Sequence, residues 1–426
     1  MSRAMKDSGI PWIGEIPKEW EVKKIDSLYT LRNEKVSDKD YPPLSVTMRG
    51  ILPQLETAAK TNDGDNRKLV RKGDFAINSR SDRRGSCGIS DYDGSVSLIN
   101  TVLCPRSNMN ASFYNWLFHT CQFADEFYKW GHGIVDDLWT TRWQEMKSIH
   151  VVVPPLVEQE VIAEFLDRKC GEVDEMVALQ EQVIEELKAY KQSIITEAVT
   201  KGLNPNAPMK PSGIDWIGEI PEHWVMCRIK NVASLFGRIG FRGYNSDDLN
   251  KEGEGAITLS PSNMRPMGMD YSSVTYLSWA KYHESPEIKI QNNDLLLVKT
   301  GSSYGKVSYV ESLPKEATIN PQILRIVPTI NSKFLGYQLQ TSLFIYQVEG
   351  GIVGGTIPTI SQEKIYNFLV VSPPLSEQRE IADYLDRKCA DIDALIALKQ
   401  QKIEELKAYK KSLIYEYVTG KKAVSF

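Results

Sequence analysis

The feature that most constrains this chain is that it is written twice. Met5 to Ile25, MKDSGIPWIGEIPKEWEVKKI, returns as MKPSGIDWIGEIPEHWVMCRI from Met209 to Ile229, an offset of 204 that keeps Trp12/Trp216, the IGEIP core and Trp20/Trp224. A longer match begins at Pro154, PPLVEQEVIAEFLDRKCGEVDEMVALQEQVIEELKAYKQSIITEAVT, and again at Pro373, PPLSEQREIADYLDRKCADIDALIALKQQKIEELKAYKKSLIYEYVT, at an offset of 219. Self-similarity on this scale decides the architecture before any local assignment. Each half is a repeated frame around a private insert, the second insert is 15 residues longer, and the two inserts look unrelated in sequence.

The longer repeat reads as a helix with a heptad seam. Leu166, Val173, Leu187 and Ile194 recur every seven residues, with Met176, Val183 and Tyr190 as the expected companion stripe; Leu385, Ile392, Leu406 and Leu413 are the equivalents in the second copy. Both copies interrupt the seam at the same place with a polar residue, Gln180 and Lys399, a device that fixes register at some cost in stability. Pro154-Pro155 and Pro373-Pro374 stop a preceding strand, and Gly202 and Gly420 follow the last periodic residues. Each helix is then about 45 residues, roughly 65 to 70 Å long. A core hairpin or a zipper between copies is the plain alternative. With a folded insert between them, the two helices meet most simply as an antiparallel intramolecular pair carrying one insert at each end. The expected segments are 1–153, 154–203, 204–372 and 373–426, alternately insert with its opening and helix.

Length and a hydrophobic share of 42 % allow ordinary buried cores in two to four domains. No apolar run reaches the roughly 18 to 20 residues that cross a bilayer, and the first residues lack a signal peptide's apolar stretch, so a cytoplasmic, membrane-free protein is expected. The six cysteines are far apart, with no CxxC pair or histidine at zinc spacing, and are expected to be reduced, mostly buried and metal-free. A net charge of −4 argues mildly against nucleic acid. Its distribution matters more: Leu156 to Lys201 holds eleven acidic against five basic residues, which leaves the remainder slightly basic.

Both inserts read as mixed α/β. The first, about residues 20 to 153, has strand-like KLVRKGDFAINSR and SVSLINTVLCP before an aromatic helical stretch, FYNWLFHTCQFADEFYKW. It gathers Arg67, Lys68, Arg71, Lys72, Arg80, Arg83 and Arg84 around Asn78, Ser79 and Ser81, a mixture suited to phosphate contacts from Arg and Ser and base-edge contacts from Asn and Arg. The structural alternative is a solvated loop whose arginines pair with Asp74, Asp82 or Asp91. The second insert, about 225 to 372, has two segments of the same character: Ser260, Ser262, Asn263 and Arg265 in LSPSNMR, and Lys299, Thr300, Ser302, Ser303, Tyr304 and Lys306 in VKTGSSYGK. Plain turns are the alternative here too.

Catalytic signatures are not found. GSSYGKV has three residues between its glycines and Val307 after the lysine, where a phosphate-binding loop needs four and a hydroxyl residue. VVPPL and VSPPL lack the acid or amide and the aromatic of an adenine methyltransferase motif, and five scattered histidines define no triad.

The double SGIxWIGEIPxxW opening, the PPLxEQxxIAxxLDRK helix starts and the EELKAYK segments resemble the specificity subunits of type I restriction-modification enzymes, over nearly the whole chain. KGDFAINSRSDRRG and LLLVKTGSSYGK are similar to that family's recognition-domain segments. The resemblance implies two target-recognition domains reading a split double-stranded DNA sequence and an antiparallel pair of long helices between them. It also implies two adenine methyltransferase subunits docked on the helices and ATP-dependent restriction subunits as further partners. S-adenosylmethionine, ATP and magnesium would belong to those partners, and this chain would catalyse nothing. The alternatives are the specificity half of another split restriction-modification system and a coiled-coil scaffold unrelated to DNA.

Overall fold

The computed structural model describes residues 3–54, 64–133, 139–214, 217–351 and 358–424; Trp216 and part of the Gly-rich turn of the second insert lie outside the described residues. The chain forms two compact units, Met1–Gln182 with Lys399–Phe426, and Val183–Leu398. The long helices, Leu156–Lys201 and Leu375–Val418, therefore each contribute a stretch to both units. Among the described residues no helix is long and apolar enough to cross a membrane.

In unit one the opening folds as a short hairpin, Met5–Asp7 against Glu15–Pro17, and its next strand, Glu21–Lys24, pairs with His150–Val153, the strand that runs into the first long helix. Two prolines end that strand, and side chains of the first helical turn tie the helix start to the rest of the unit. Gln159 donates from Nε2 to the Pro154 carbonyl (2.8 Å) and accepts from the Asn110 amide (2.9 Å), while Asn110 Oδ1 accepts from the Phe113 amide (2.9 Å) to cap helix Ala111–Phe118. Trp20 is fully buried and donates from Nε1 to Glu158 (2.8 Å). Unit two repeats each contact: Gln378 with Pro373 and Asn331, Asn331 with Phe334, and Trp224 with Glu377 (2.9 Å).

The helices end as their glycines suggest. Gly202 and Gly420 both have positive φ, and a Cβ on Gly420 would stand 2.4 Å from Pro17 and 3.0 Å from the Trp20 ring, so this helix end must lack a side chain to close on the opening.

Within each unit the helices run antiparallel. In unit one Lys410 meets Asp174 (2.6 Å) and the Tyr417 ring lies 4.4 Å from that of Phe165; in unit two Lys191 meets Asp393 (2.7 Å). Asp174 and Asp393 are repeat equivalents, as are Lys191 and Lys410, so one ion pair is made twice. Exposed pairs of this kind contribute about 0 to 1 kcal/mol and mark the register more than they hold it.

The buried seam corrects one expectation. Leu166, Val173, Leu385, Ile392 and Leu413 are buried, and Gln180, Leu187, Ile194, Lys399 and Leu406 partly so. Of the expected companion stripe Met176, Val183 and Tyr190, only Val183 is half-buried, while Met176 and Tyr190 are 50 % and 59 % exposed. Cys170, half-buried Val177, Ile184 and Lys191 take that place, four residues after each seam position instead of three. Apolar residues at both spacings made the stripes look alike, and a Cys and a Lys on the true one disguised it.

The two inserts share one topology. A four-stranded sheet in the order Cys87–Ile89, Phe75–Asn78, Asn100–Pro105, Tyr29–Arg32 matches Val307–Tyr309, Leu295–Val298, Ile323–Pro328, Ala233–Gly237 in unit two. The added length of the second insert lies between its first two sheet strands, with 57 residues between Gly237 and Leu295 against 42 between Arg32 and Phe75. The cores show how the sequences diverged around a shared pattern. At matched positions Phe75, Tyr114, Phe118 and Phe127 of unit one are replaced by Leu295, Leu335, Leu339 and Val348 in unit two, whereas Phe113 and Phe123 recur as Phe334 and Phe344. Patterning and total volume specify such a core better than residue identity does. The expectation of mostly buried cysteines holds for half of them: Cys87, Cys170 and Cys389 are buried, Cys104 and Cys227 intermediate, and Cys121 exposed.

The corrected seam is tested by a pair of substitutions. Leu166→Ala should lower stability by about 2 to 5 kcal/mol, and Met176→Ala should change it by no more than about 0.5 kcal/mol, both read from urea unfolding; equal losses would restore the rejected stripe.

Candidate nucleic-acid interface

The candidate residues converge on one place in the fold. NSRSDRRGS connects strand Phe75–Asn78 to Cys87–Ile89, and KTGSSYGK connects Leu295–Val298 to Val307–Tyr309, so the two segments are the same hairpin loop of the duplicated sheet. Each loop is extended sideways by a second one. In unit one Ser81 N donates to Trp139 O (3.0 Å) and Thr141 N to Ser79 O (2.9 Å), with a bridge between Arg80 and Thr140. In unit two Gly301 N donates to Pro358 O (3.1 Å) and Ile360 N to Lys299 O (2.9 Å), with the bridge Thr300 to Thr359. Trp139, Thr140, Pro358 and Thr359 carry no mark of this role in the sequence, because isolated main-chain pairing leaves no residue-type signal.

Within unit one the loop divides into inward and outward residues. Arg67 is buried, donating from Nε to Ser95 Oγ (2.8 Å) and from Nη2 to Ser95 O (3.0 Å). Burial lowers its pKa, as it does that of Lys68, whose Nζ donates to the Asn100 carbonyl (2.6 Å). Asn78 and Ser79 are also buried: Asn78 Oδ1 accepts from the Arg80 amide (3.0 Å), and Ser79 Oγ lies 3.1 Å from Thr101 Oγ1. Asn78 and Ser79 thus lie at the base of the hairpin and Arg67 and Lys68 on the neighbouring strand Arg67–Val70, all four engaged inward, and the surface set narrows to Arg80, Ser81, Arg83 and Arg84, of which Arg83 and Arg84 are exposed.

The loop's backbone is fixed from below by Tyr128, whose hydroxyl lies 3.2 Å from Asn78 O and 3.3 Å from Arg83 O. Arg84 packs over the Tyr128 ring at 5.5 Å and pairs with Asp125; Arg83 lies 3.7 Å from Asp82. Of the carboxylates anticipated as partners, Asp82 is used as expected, while Asp74 is taken by Arg32 (2.6 Å). Asp125 and Tyr128 were missed, although they lie in the aromatic stretch FYNWLFHTCQFADEFYKW. Exposed ion pairs are weak enough in water for a phosphate to displace the carboxylate.

In unit two the structure brings both candidate segments together. Lys306 Nζ donates to Pro261 O (3.2 Å), and Ser308 Oγ, just past the loop, donates to Arg265 O (2.7 Å). Asn263 is buried and structural: Oδ1 accepts from the Ser260 amide and Nδ2 donates to Ser273 O (2.7 Å). Ser260 and Ser262 bond each other (2.7 Å), and Arg265 is folded onto Asp270 (2.6 Å) and Ser262 O (2.8 Å). Burial lowers the pKa of Lys299, and burial followed by the nearby charge of Arg265 lowers that of Lys306. Ser302 is exposed, and Thr300, Ser303 and Tyr304 are half-buried.

A duplicated frame thus presents an equivalent, sideways-supported hairpin loop in each unit. The family model described as the type I restriction modification DNA specificity domain matches residues 17–189 and 221–408, and the chain belongs to that family. It is similar to the MjaVIII type I restriction enzyme specificity subunit of Methanocaldococcus jannaschii, 24 % identical over 95 % of this chain and 93 % of that one. It is also similar to the EcoKI specificity subunit of Escherichia coli, 25 % identical over 58 % of this chain and 52 % of that one. Among solved structures, one from work on complex assembly and conformational transition of the type I R-M system has a TM-score of 0.72 at 15 % identity, over 95 % of this chain and 98 % of that chain. The HsdS subunit of Thermoanaerobacter tengcongensis has a TM-score of 0.53 at 18 % identity, with the same coverage. At these identities the structural likeness speaks for the fold.

Inward and outward cations should separate cleanly in solution. Arg67→Ala should cost about 1 to 3 kcal/mol in unfolding free energy by leaving buried acceptors unmet. Arg83→Ala should leave the unfolding midpoint unchanged and weaken binding of target DNA, measured by fluorescence anisotropy; a stability loss at Arg83 of the same size as at Arg67 would place it in the scaffold.

Proposed function

We propose that the chain is the DNA-reading, non-catalytic subunit of a type I restriction-modification complex, in which each unit reads one block of a split target and the long helices fix the spacing. The observation that carries this reading is the equivalence of the 79–86 and 299–306 loops. A recognition element duplicated in structure but not in sequence reads two different short blocks. Double-stranded DNA, two adenine methyltransferase subunits and ATP-dependent restriction subunits are the proposed partners, and S-adenosylmethionine, ATP and magnesium would act in those partners. The methyltransferase subunits are proposed to dock on the long helices. Membership of the DNA specificity family weighs against a scaffold unrelated to DNA.

Co-expression with the cognate methyltransferase, followed by mapping of modified bases, should give adenine methylation in a bipartite motif, two specified blocks around unspecified bases. A continuous motif would overturn the two-block reading.

The helix contacts lead to a second expectation. Unit one pairs Phe165, Leu166 and Asp174 of the first helix with Lys410, Leu413, Ile414 and Val418 of the second. The first helix carries near-copies of those partners at Lys191, Ile194, Ile195 and Val199. A fragment from Met1 to about Asn204 should therefore pair with a second copy of itself, replacing an internal repeat by a true twofold. Sedimentation should show a dimer, and with the methyltransferase it should modify an interrupted palindrome; a stable dimer modifying a non-palindromic site would refute the equivalence.

A further inference from the structure

Set against each other with their strands aligned, the two inserts reveal a second shared element that sequence comparison hides. In unit one Pro43 bridges Ser95 in parallel, and the chain continues Leu44-Ser45-Val46-Thr47-Met48-Arg49. In unit two Thr258 pairs in parallel with Thr318, and the chain continues Leu259-Ser260-Pro261-Ser262-Asn263-Met264-Arg265. The spelling is Leu-Ser, a spacer of two residues in the first copy and three in the second, Met-Arg. Both segments then turn back, as hairpins Leu44–Thr47 with Gly50–Pro53 and Met264–Arg265 with Gly268–Met269.

Both hairpins also lean on the same position of the main sheet. Gly88 and Ser308 occupy equivalent places on the strand that leaves the candidate loop, opposite Ala76 and Leu296 respectively. Ser308 Oγ donates to the Arg265 carbonyl. A Cβ on Gly88 would stand 2.7 Å from Gly50 Cα, so only a glycine lets the unit-one hairpin tip lie this close. The tip is set by Thr47, whose Oγ1 accepts from the Arg49 amide (3.0 Å) and donates to the Gly50 carbonyl (2.9 Å), with Gly50 at φ 103°. Arg49 and Met48 project into solvent, Met48 at 72 % exposure. The arginine that matches it in spelling, Arg265, stands on the strand just before its turn, paired with Gly268 as Thr47 is with Gly50, and is folded onto Asp270.

We propose that Arg49 is a further DNA contact of unit one, binding a backbone phosphate beside the block read by the 79–86 loop. The proposal rests on the DNA-reading function above. An exposed arginine on a turn fixed by the Thr47 hydroxyl, against the strand that emerges from the reading loop, suits a positioning contact to phosphate. Its place on a separate hairpin keeps it out of the base-reading loop itself.

The test uses the full chain complexed with its methyltransferase and a labelled duplex carrying the mapped target, with affinity measured by anisotropy over a salt series. Arg49→Ala should weaken binding about five- to tenfold near physiological salt and lower the slope of log affinity against log salt by about one. The methylated motif and the melting temperature should not change. Arg49→Lys should retain most of the affinity, since an ammonium also satisfies a phosphate. Unchanged affinity and slope for Arg49→Ala, with Arg83→Ala impaired, would overturn this inference and leave the two-block reading standing. If neither variant weakens binding, the reading falls with it. A relaxed motif in Arg49→Ala would overturn the phosphate assignment by making Arg49 a base reader.

Discussion

The indole of Trp20, with its repeat equivalent Trp224, is the contact around which each unit is organised. The ring is fully buried, its N–H is spent on the glutamate in the first turn of one long helix, and its far edge meets the terminal glycine of the other. A carboxylate near a helix N-terminus is favoured by the helix dipole, and an indole N–H satisfies it without introducing a buried charge. In unit one Arg3 adds a cation to Glu158, and in unit two His223 lies 2.6 Å from Glu377. One side chain thus ties the start of one helix, the end of the other and the opening strand pair together.

From that point order spreads outward by steps that depend on one another. The strand pair beside the opening fixes where the helix begins, the Gln159 and Gln378 side chains carry that position to the cap of the first short helix, and the short helices cover one face of the insert sheet. The hairpin loops emerge from the strand next to that sheet's edge strand. Their backbone is therefore placed by a continuous series of buried contacts, while outer side chains such as Arg83 and Arg84 are held only by exposed surface contacts.

How far this was legible in the sequence depended on what each contact is made of. The duplicated frame, the long helices, the glycine ends and the loops were readable because repeated residue types at fixed spacing carry them. The companion seam stripe was misread where a Cys and a Lys held the true positions and a Met and a Tyr offered a neighbouring apolar alternative. The kinship of the inserts was hidden because ring and aliphatic side chains trade places at matched core positions, Tyr114 with Leu335 and Phe118 with Leu339 among them. Arg67, Asn78 and Ser79 have the composition of contact residues yet serve the scaffold, since strand alternation and local pairing, not residue type, decide which way a side chain turns. The supporting loops at Thr140 and Thr359 engage through the main chain and so leave no mark in composition.

That last feature has an evolutionary reach. Where a loop is held by amide and carbonyl groups common to nearly every residue, its outward side chains can be exchanged without disturbing what holds it. Arg80 and Thr300 occupy the same bridge with different chemistry, and Ser81 and Gly301 make the same main-chain hydrogen bond. Selection can then rewrite what such a loop recognises through point changes, or trade one loop for another, at a stability cost near that of ordinary surface substitutions. A frame of this design keeps its geometry inherited while its vocabulary stays open to change.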